Sequence, residues 1–368
     1  MQKTIWDKYA QVLVDYSTDV QKGDLVVISA QSMYAKDLVR AVYKRVLQRG
    51  GNPVVHTGLG DMQELFIKYA SDEQLDYIDP MTKLEYETAD KFISIGAPIN
   101  TKAMAKADLV KMSRRGKATK HLSEIMLSRS AKGDLKWVIA DVPTHALAQE
   151  AKMSFDDYSE FLFKSCYLDL DDPVARLKEL DNEQTKWANY LNNVKELHII
   201  ADKTDITFNV EGRKWISCSG LNNYPDGEVF TSPVENGING EIYFDFPQNY
   251  RGSSAHDVHL WIENGQVVKA QASSGSDFLE AMLNMDEGSR GIGEIAFGTN
   301  SEIQNVTGNI LFDEKIGGAI HMAVGASYPE TGGKNVSGLH WDMIKNMKNN
   351  SKVYADGNLI YENGKFLI

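Results

Sequence analysis

Histidines and carboxylates gather toward the C-terminal end of this 368-residue chain at spacings that suit a cation. In the segment LHWDM, His340 and Asp342 lie two residues apart. On an extended segment both side chains leave the same face and can converge on one ion. An imidazole beside a carboxylate suits zinc, manganese or cobalt. A solvated strand edge would carry the same pair, so the neighbours decide.

Upstream, His321 follows FDEKIGGAI, which places Glu314 seven residues before it and Asp313 eight. The Gly317-Gly318 pair lets the chain turn, so Glu314 and His321 can also converge. The alternative is a helix running to His321, capped by Asp313 or Glu314, with the histidine bonded to a backbone carbonyl. Two further carboxylates stand next to glycine in apolar or small surroundings, Glu228 in NYPDGEVFTSP and Glu294 in RGIGEIAFG. An ionised carboxylate so placed must find a cation, accept several hydrogen bonds or give up its charge, unless the segment is a solvated loop. Tyr328, in GASYPETGG, has a hydroxyl that can donate to an oxyanion if it faces the ions, and is otherwise a core aromatic. Glu228, Glu294, Glu314, Asp342, His321 and His340 make six potential ligands, more than one four-coordinate zinc uses. The surplus points to two ions, which in such centres lie roughly 3.5–4 Å apart.

These residues need a scaffold, and the chain divides into two kinds of patterning. From Trp6 to about Asn193, short apolar runs alternate with 3.6-period stretches; DLVVISA, NPVVHTG, KFISIGA and KWVIADV are the strand candidates. The stretch SMYAKDLVRAVYKRVLQRGG is amphipathic and ends in glycines, as a helix C-terminus does. Alternating strand and helix implies a mainly parallel sheet flanked by helices. A polar helix over DPVARLKELDNEQTKWANYLNNV closes this region, and the boundary is set near Val194: an α/β N-terminal domain over 1–194, a β-rich α+β domain carrying the metal site over 195–368. In the second part, KELHIIAD, ITFNV, KWISCSG, EIYFDF, VHLWIENGQVVKA and VYADGNLIYENGKFLI alternate, with hairpin turns at Asn264-Gly265 and Asn363-Gly364. Asp277 to Met285 reads as one helix and 317–325 as another short one. No repeat, Walker loop or GxGxxG occurs.

Composition narrows the function classes. A formal net charge of -12 argues against a nucleic-acid partner, because phosphate binding needs clustered Lys and Arg. Cys166 and Cys218 are too few for a disulfide framework and read as core thiols in a reducing compartment. The N-terminal MQKTIWDKYAQVLVDYS carries charges at helical spacing, unlike a signal peptide or membrane span, so a cytoplasmic, non-membrane protein is expected.

The ordered set PDGEVFTSP, GIGEIAFG, LFDEKIGGAIHMAVGASYP and GLHWDM resembles the aminopeptidase T and aminopeptidase S family of dinuclear metallo-aminopeptidases. The resemblance covers essentially the whole chain, includes PTHALAQEAKMSFDDYSEF in the first half, and is closest from Ile206 onward. It implies that Glu228, Glu294, His321, His340 and Asp342 are metal ligands, with Glu314 a further one. It also implies that Glu294 bridges the ions or acts as general base, and that Tyr328 stabilises the tetrahedral intermediate. A homodimer whose C-terminal domains share an enclosed cavity is expected on this resemblance alone. The chain departs from the family pattern in two places: FDEKIGGAIH replaces a more compact FDEN-type segment, and the stretch from Tyr328 to His340 is short.

The function expected is therefore removal of N-terminal residues from short peptides with a free N-terminus, by a metal-activated water at two divalent ions. Two rivals stand beside it. One is a mononuclear metal enzyme such as an Fe(II) oxygenase, although no histidine follows His340 to complete its usual triad. The other is a non-catalytic binding protein on the same scaffold.

Overall fold

The computed structural model describes residues 3–250 and 252–368. The chain forms two compact units, one running to Arg176 and taking in Gly220–Tyr224, the other comprising Leu177–Ser219 and Pro225–Ile368.

The first unit is built on a five-stranded sheet, all parallel, in the order Asn52–Thr57, Leu25–Ala30, Lys91–Gly96, Lys136–Asp141, Asn223–Tyr224. The four expected strands are all present. Parallel strands need crossovers, and helices such as Lys36–Arg49 and Leu109–Lys132 supply them. Both helices stop at a glycine in the left-handed region, Gly50 and Gly133, and Asp108 caps the second by accepting from the backbone of Val110 and Lys111. The N-terminal helix Ile5–Gln11 is closed by a capping box between Thr4 and Asp7 and continues as a π-turn over Val12–Ser17. The fifth strand, Asn223–Tyr224, falls within the stretch assigned by sequence to the second domain. Two paired residues are too short to leave a periodic signal.

The second unit contains an eight-stranded antiparallel sheet, a two-stranded ribbon and a five-stranded antiparallel sheet. The expected hairpins turn at Asn264-Gly265 and Asn363-Gly364, whose residues all have positive φ. The expected helix at 277–285 is present as Ser276–Leu283. Most of the helix Pro173–Leu191 belongs to this unit, so the observed division falls one helix earlier than Val194: Ala188, Leu191 and Val194 share a core with Leu197, Ile206 and Phe208.

One element differs in type. The segment 317–325 is not a helix; Ala319–Gly325 is a strand at the second position of the five-stranded sheet, buried along its whole length. A strand covered on both faces reads as an unbroken apolar run, which periodicity alone does not separate from a buried helix.

Candidate metal centre

The five-stranded sheet runs in the order His340–Asn346, Ala319–Gly325, Ile292–Gly298, Glu228–Thr231, Ile216–Cys218. Its register puts Glu294 and Asp342 on either side of Ala323, His321 beside Ala296, His340 opposite Gly325 and Glu228 opposite Gly298. Side chains opposite one another, or two apart along a strand, share a face. Glu228, Glu294, His321, His340 and Asp342 therefore project from one face, on a floor of Ala296, Ala323, Gly298 and Gly325. Ile295, Phe297, Ile320, Met322, Val324, Trp341 and Met343 project from the other and belong to the hydrophobic core. A bulge at Gly293 shifts the register and brings Glu294 into line. Only glycine fits there, since a Cβ would lie 2.0 Å from the Ala326 carbonyl oxygen.

The side chains converge closely. His321 Nε2 lies 3.3 Å from Glu228 Oε2 and 3.5 Å from Glu294 Oε1, and His340 Nε2 lies 3.2 Å from Glu294 Oε2 and 3.3 Å from Asp342 Oδ1. Glu294 is thus shared between the histidines, one oxygen to each. Glu314 follows the short helix Ile310–Asp313, and its carboxylate joins His321 and Asp342. All six residues expected as ligands meet here. Asp313 does not; it anchors the preceding loop, accepting from the backbone and hydroxyl of Thr307 and the backbone of Gly308.

The two histidines are oriented by backbone carbonyls. His321 donates its Nδ1 proton to the Glu314 carbonyl at 3.0 Å and His340 donates to the Ala326 carbonyl at 2.8 Å, because a carbonyl can only accept. Each neutral ring then presents the Nε2 lone pair to carboxylate oxygens. Lone pairs facing one another need a proton or a cation between them, and the Nδ1-to-carbonyl bond is the usual support for a metal-binding histidine. Oxygen and imidazole donors around shared space fit divalent ions.

Without a cation, protons fill the role. Burial would lower the His321 imidazole, but its hydrogen bond to Glu294 and the charges of Glu294, Glu228 and Asp342 push it up to about 9. His340 rises well above its ordinary value against the same burial, through Asp342 and Glu294. Burial would raise Glu294, yet hydrogen bonds from His321 and His340 leave it below the ordinary range. Glu314, buried and next to Glu228 and Asp342, is pushed up to about 8 even though Lys315 opposes the shift.

Tyr328 reaches the centre: its hydroxyl is 3.4 Å from His340 Nε2, and its ring packs edge-on against Phe230 and His340. Burial, then the charges of Glu294 and Asp342, hold its phenol well above the ordinary value, so it stays a neutral donor. The sequence reading missed two residues, Lys315 and Asp226. Lys315 is fully buried and pairs with Glu228 at 2.8 Å, with Glu314, and more distantly with Asp226 at 3.9 Å. Lysine is almost never fully buried unless paired, so the K of FDEK, followed by an apolar, glycine-rich run, was the available signal. Cys218 is not the core thiol expected; it is only partly buried and lies against Asp226 and Glu228, whereas Cys166 is buried.

A buried, mixed carboxylate and imidazole cluster carried on one face of an antiparallel sheet has the donor set of a metal centre. The chain belongs to the thermophilic metalloprotease family M29, whose pattern matches residues 2–366. It is 28% identical to aminopeptidase 2 of Geobacillus stearothermophilus over 95% of this chain and 90% of that protein. The structure of wild-type AmpT from Thermus thermophilus shares the fold, with a TM-score of 0.86 at 22% identity over 99% of each chain. A 2,5-dihydroxypyridine dioxygenase from Pseudomonas putida KT2440 is more distantly similar, with a TM-score of 0.60 at 15% identity over 99% of this chain and 96% of that one. The fold by itself therefore does not separate a hydrolase from an oxygenase.

Proposed function

We infer that this protein is a metal-dependent aminopeptidase that removes N-terminal residues from short peptides, and that its centre holds two divalent ions. Family membership and the aminopeptidase relative support the activity. The observation that supports two ions is charge. Asp226, Glu228, Glu294, Glu314 and Asp342 are five carboxylates in one buried cluster, and Lys315 is the ammonium paired within it. Five negative charges against one positive leave four, the charge of two divalent ions. Burying unpaired charge is costly, so a centre of this composition favours that loading. The donor set suits zinc, cobalt or manganese.

Bound divalent ions supply Lewis acidity toward a peptide carbonyl and lower the pKa of a water. The protein's own residues do the rest. Glu228, Glu294, Glu314, His321, His340 and Asp342 would hold the ions. Glu294, with an oxygen toward each histidine, would help to hold the ions or take the proton of the attacking water. Tyr328 keeps its proton and donates its O–H to the carbonyl oxygen as negative charge develops there. The His340 side chain is the most exposed of the ligand set, at 26%, so the His340 and Tyr328 side is where a peptide would approach.

A cytoplasmic homodimer completes the reading. Its support is the family resemblance for the dimer and the two unpaired cysteines for a reducing compartment. Among the described residues no helix is long and apolar enough to cross a membrane.

The test is to strip the protein with chelator, restore cobalt, zinc or manganese singly, and follow amino-acid release from leucyl peptides without oxygen. Metal-dependent release is expected. No release from a panel of N-terminal residues would overturn the activity, and release only in the presence of oxygen would favour the oxygenase.

A further inference from the structure

The inner end of the cluster already holds a cation, and it belongs to the chain. Lys315 Nζ contacts Glu228 Oε1 and Glu314 Oε1, and lies 3.9 Å from Asp226. Glu228 consequently faces two ways, with Oε1 on the lysine and Oε2 on His321 Nε2. Glu314 is divided as well: one side-chain oxygen meets Lys315 and its backbone carbonyl receives the His321 Nδ1 proton. The other ligand group, Glu294, His340 and Asp342, has no ion pair with Lys315 among the described residues. Lys315 also fills the space beside Cys218, Asp226 and Glu228, whose donor atoms are close enough to hold an ion themselves.

An ammonium this near an ion acts in two ways. It occupies carboxylate oxygens that would otherwise coordinate, and it repels a second positive charge across a poorly screened interior. The first effect falls on the ion beside Glu228 and His321, and the second falls mainly there, although the charge of Lys315 also reaches Asp342.

Resting on the two-ion reading above, we propose that Lys315 is a positioning residue of the centre, a fixed internal cation that makes the two ions unequal. The ion beside Glu294, His340 and Asp342 is bound tightly; the ion beside Glu228 and His321 is bound weakly and exchanges first.

The test is a manganese titration of chelator-stripped wild type, K315Q and the double variant D226N/K315Q, read by calorimetry and by electron paramagnetic resonance. The double variant removes the ammonium together with one carboxylate, so its net charge equals that of the wild type and it remains testable if K315Q alone does not fold. Wild type should show two affinity classes. In K315Q, which loses the positive charge, the weaker class should tighten by on the order of tenfold or more, with a smaller change in the tight class; in the double variant, where only the oxygens of Glu228 and Glu314 are freed, it should tighten less but in the same direction. A lysine that merely holds the fold together would give the opposite sign, since its loss would loosen binding. A weaker class that is unchanged or looser in the variants overturns the proposal. Uptake of a single ion by the wild type and by both variants refutes the two-ion reading and, with it, the proposal that rests on it; two ions of equal affinity in the wild type overturn the proposal alone.

Discussion

Adjacent residues on the five-stranded sheet go to opposite environments: Met322 and Val324 enter the hydrophobic core, while His321, Ala323 and Gly325 face the carboxylates. Both faces are buried, so burial does not distinguish them. What differs is bulk. The core face carries Ile295, Phe297, Met322, Val324 and Trp341; the other alternates a charged or imidazole side chain with alanine or glycine, as in E-x-A-x-G and H-x-A-x-G. Large side chains fill the core face at close packing. On the other face, small residues leave the volume that ions and substrate need.

The largest effect expected from breaking that contrast comes from Glu294→Gln, which keeps the shape and removes the shared charge. Turnover should fall by roughly 10²–10⁴-fold, the range for a lost general base. Thermal unfolding of the stripped protein should persist as one cooperative transition. A fully active variant would show that Glu294 is neither base nor bridge.

Substitutions at the neighbouring positions 322 and 323 give a direct comparison. Met322→Ala opens a cavity in the core and should cost about 2–5 kcal/mol of stability, measured by denaturant unfolding, with metal affinity of the folded protein retained. Ala323→Val intrudes between Glu294 and Asp342 and should weaken metal binding far more than it lowers the stability of the stripped protein. Equal effects of the two on both quantities would erase the distinction between faces.

Tyr328→Phe is a smaller perturbation. Loss of one oxyanion donor should lower kcat by about 10²-fold or somewhat less, with little change in KM, because the bond strengthens only as charge develops. A change confined to KM would reassign Tyr328 to ground-state binding.

The smallest effect is on pH. In stripped protein His321 titrates near 9 rather than at its ordinary 6.5, so its stabilisation is fully present below about 6.5 and is lost as pH rises through about 9. Glu314, raised to about 8, contributes with the same sign. The stripped protein should therefore lose about 1–3 kcal/mol between pH 6.5 and 9, a loss that bound metal reduces by replacing the protons. A flat profile after stripping would mean that the histidines carry no extra protons there.

The same contrast explains what was legible in the sequence. Four of the five strands of the first unit are readable because apolar runs alternate with capped, amphipathic helices. The six candidate ligands were readable because acids and histidines are conspicuous among glycines and apolar residues. Ala319–Gly325 resembles a helix in sequence because the small residues of its polar face look apolar in a linear sequence and hide the period-2 pattern. Lys315 and Asp226 escape a sequence reading because a lysine next to an acidic pair, and an aspartate in a Pro-Asp-Gly turn, ordinarily face solvent. Only the tertiary pairing shows that each is buried with the other.

The most direct measurement is anomalous scattering from crystals grown with cobalt. Two peaks are predicted, flanking Glu294: one within about 2.0–2.3 Å of donor atoms from His340 and Asp342, the other at the same distance from Glu228 and His321. Cobalt bound elsewhere, or no peak on this face of the sheet, would contradict the account.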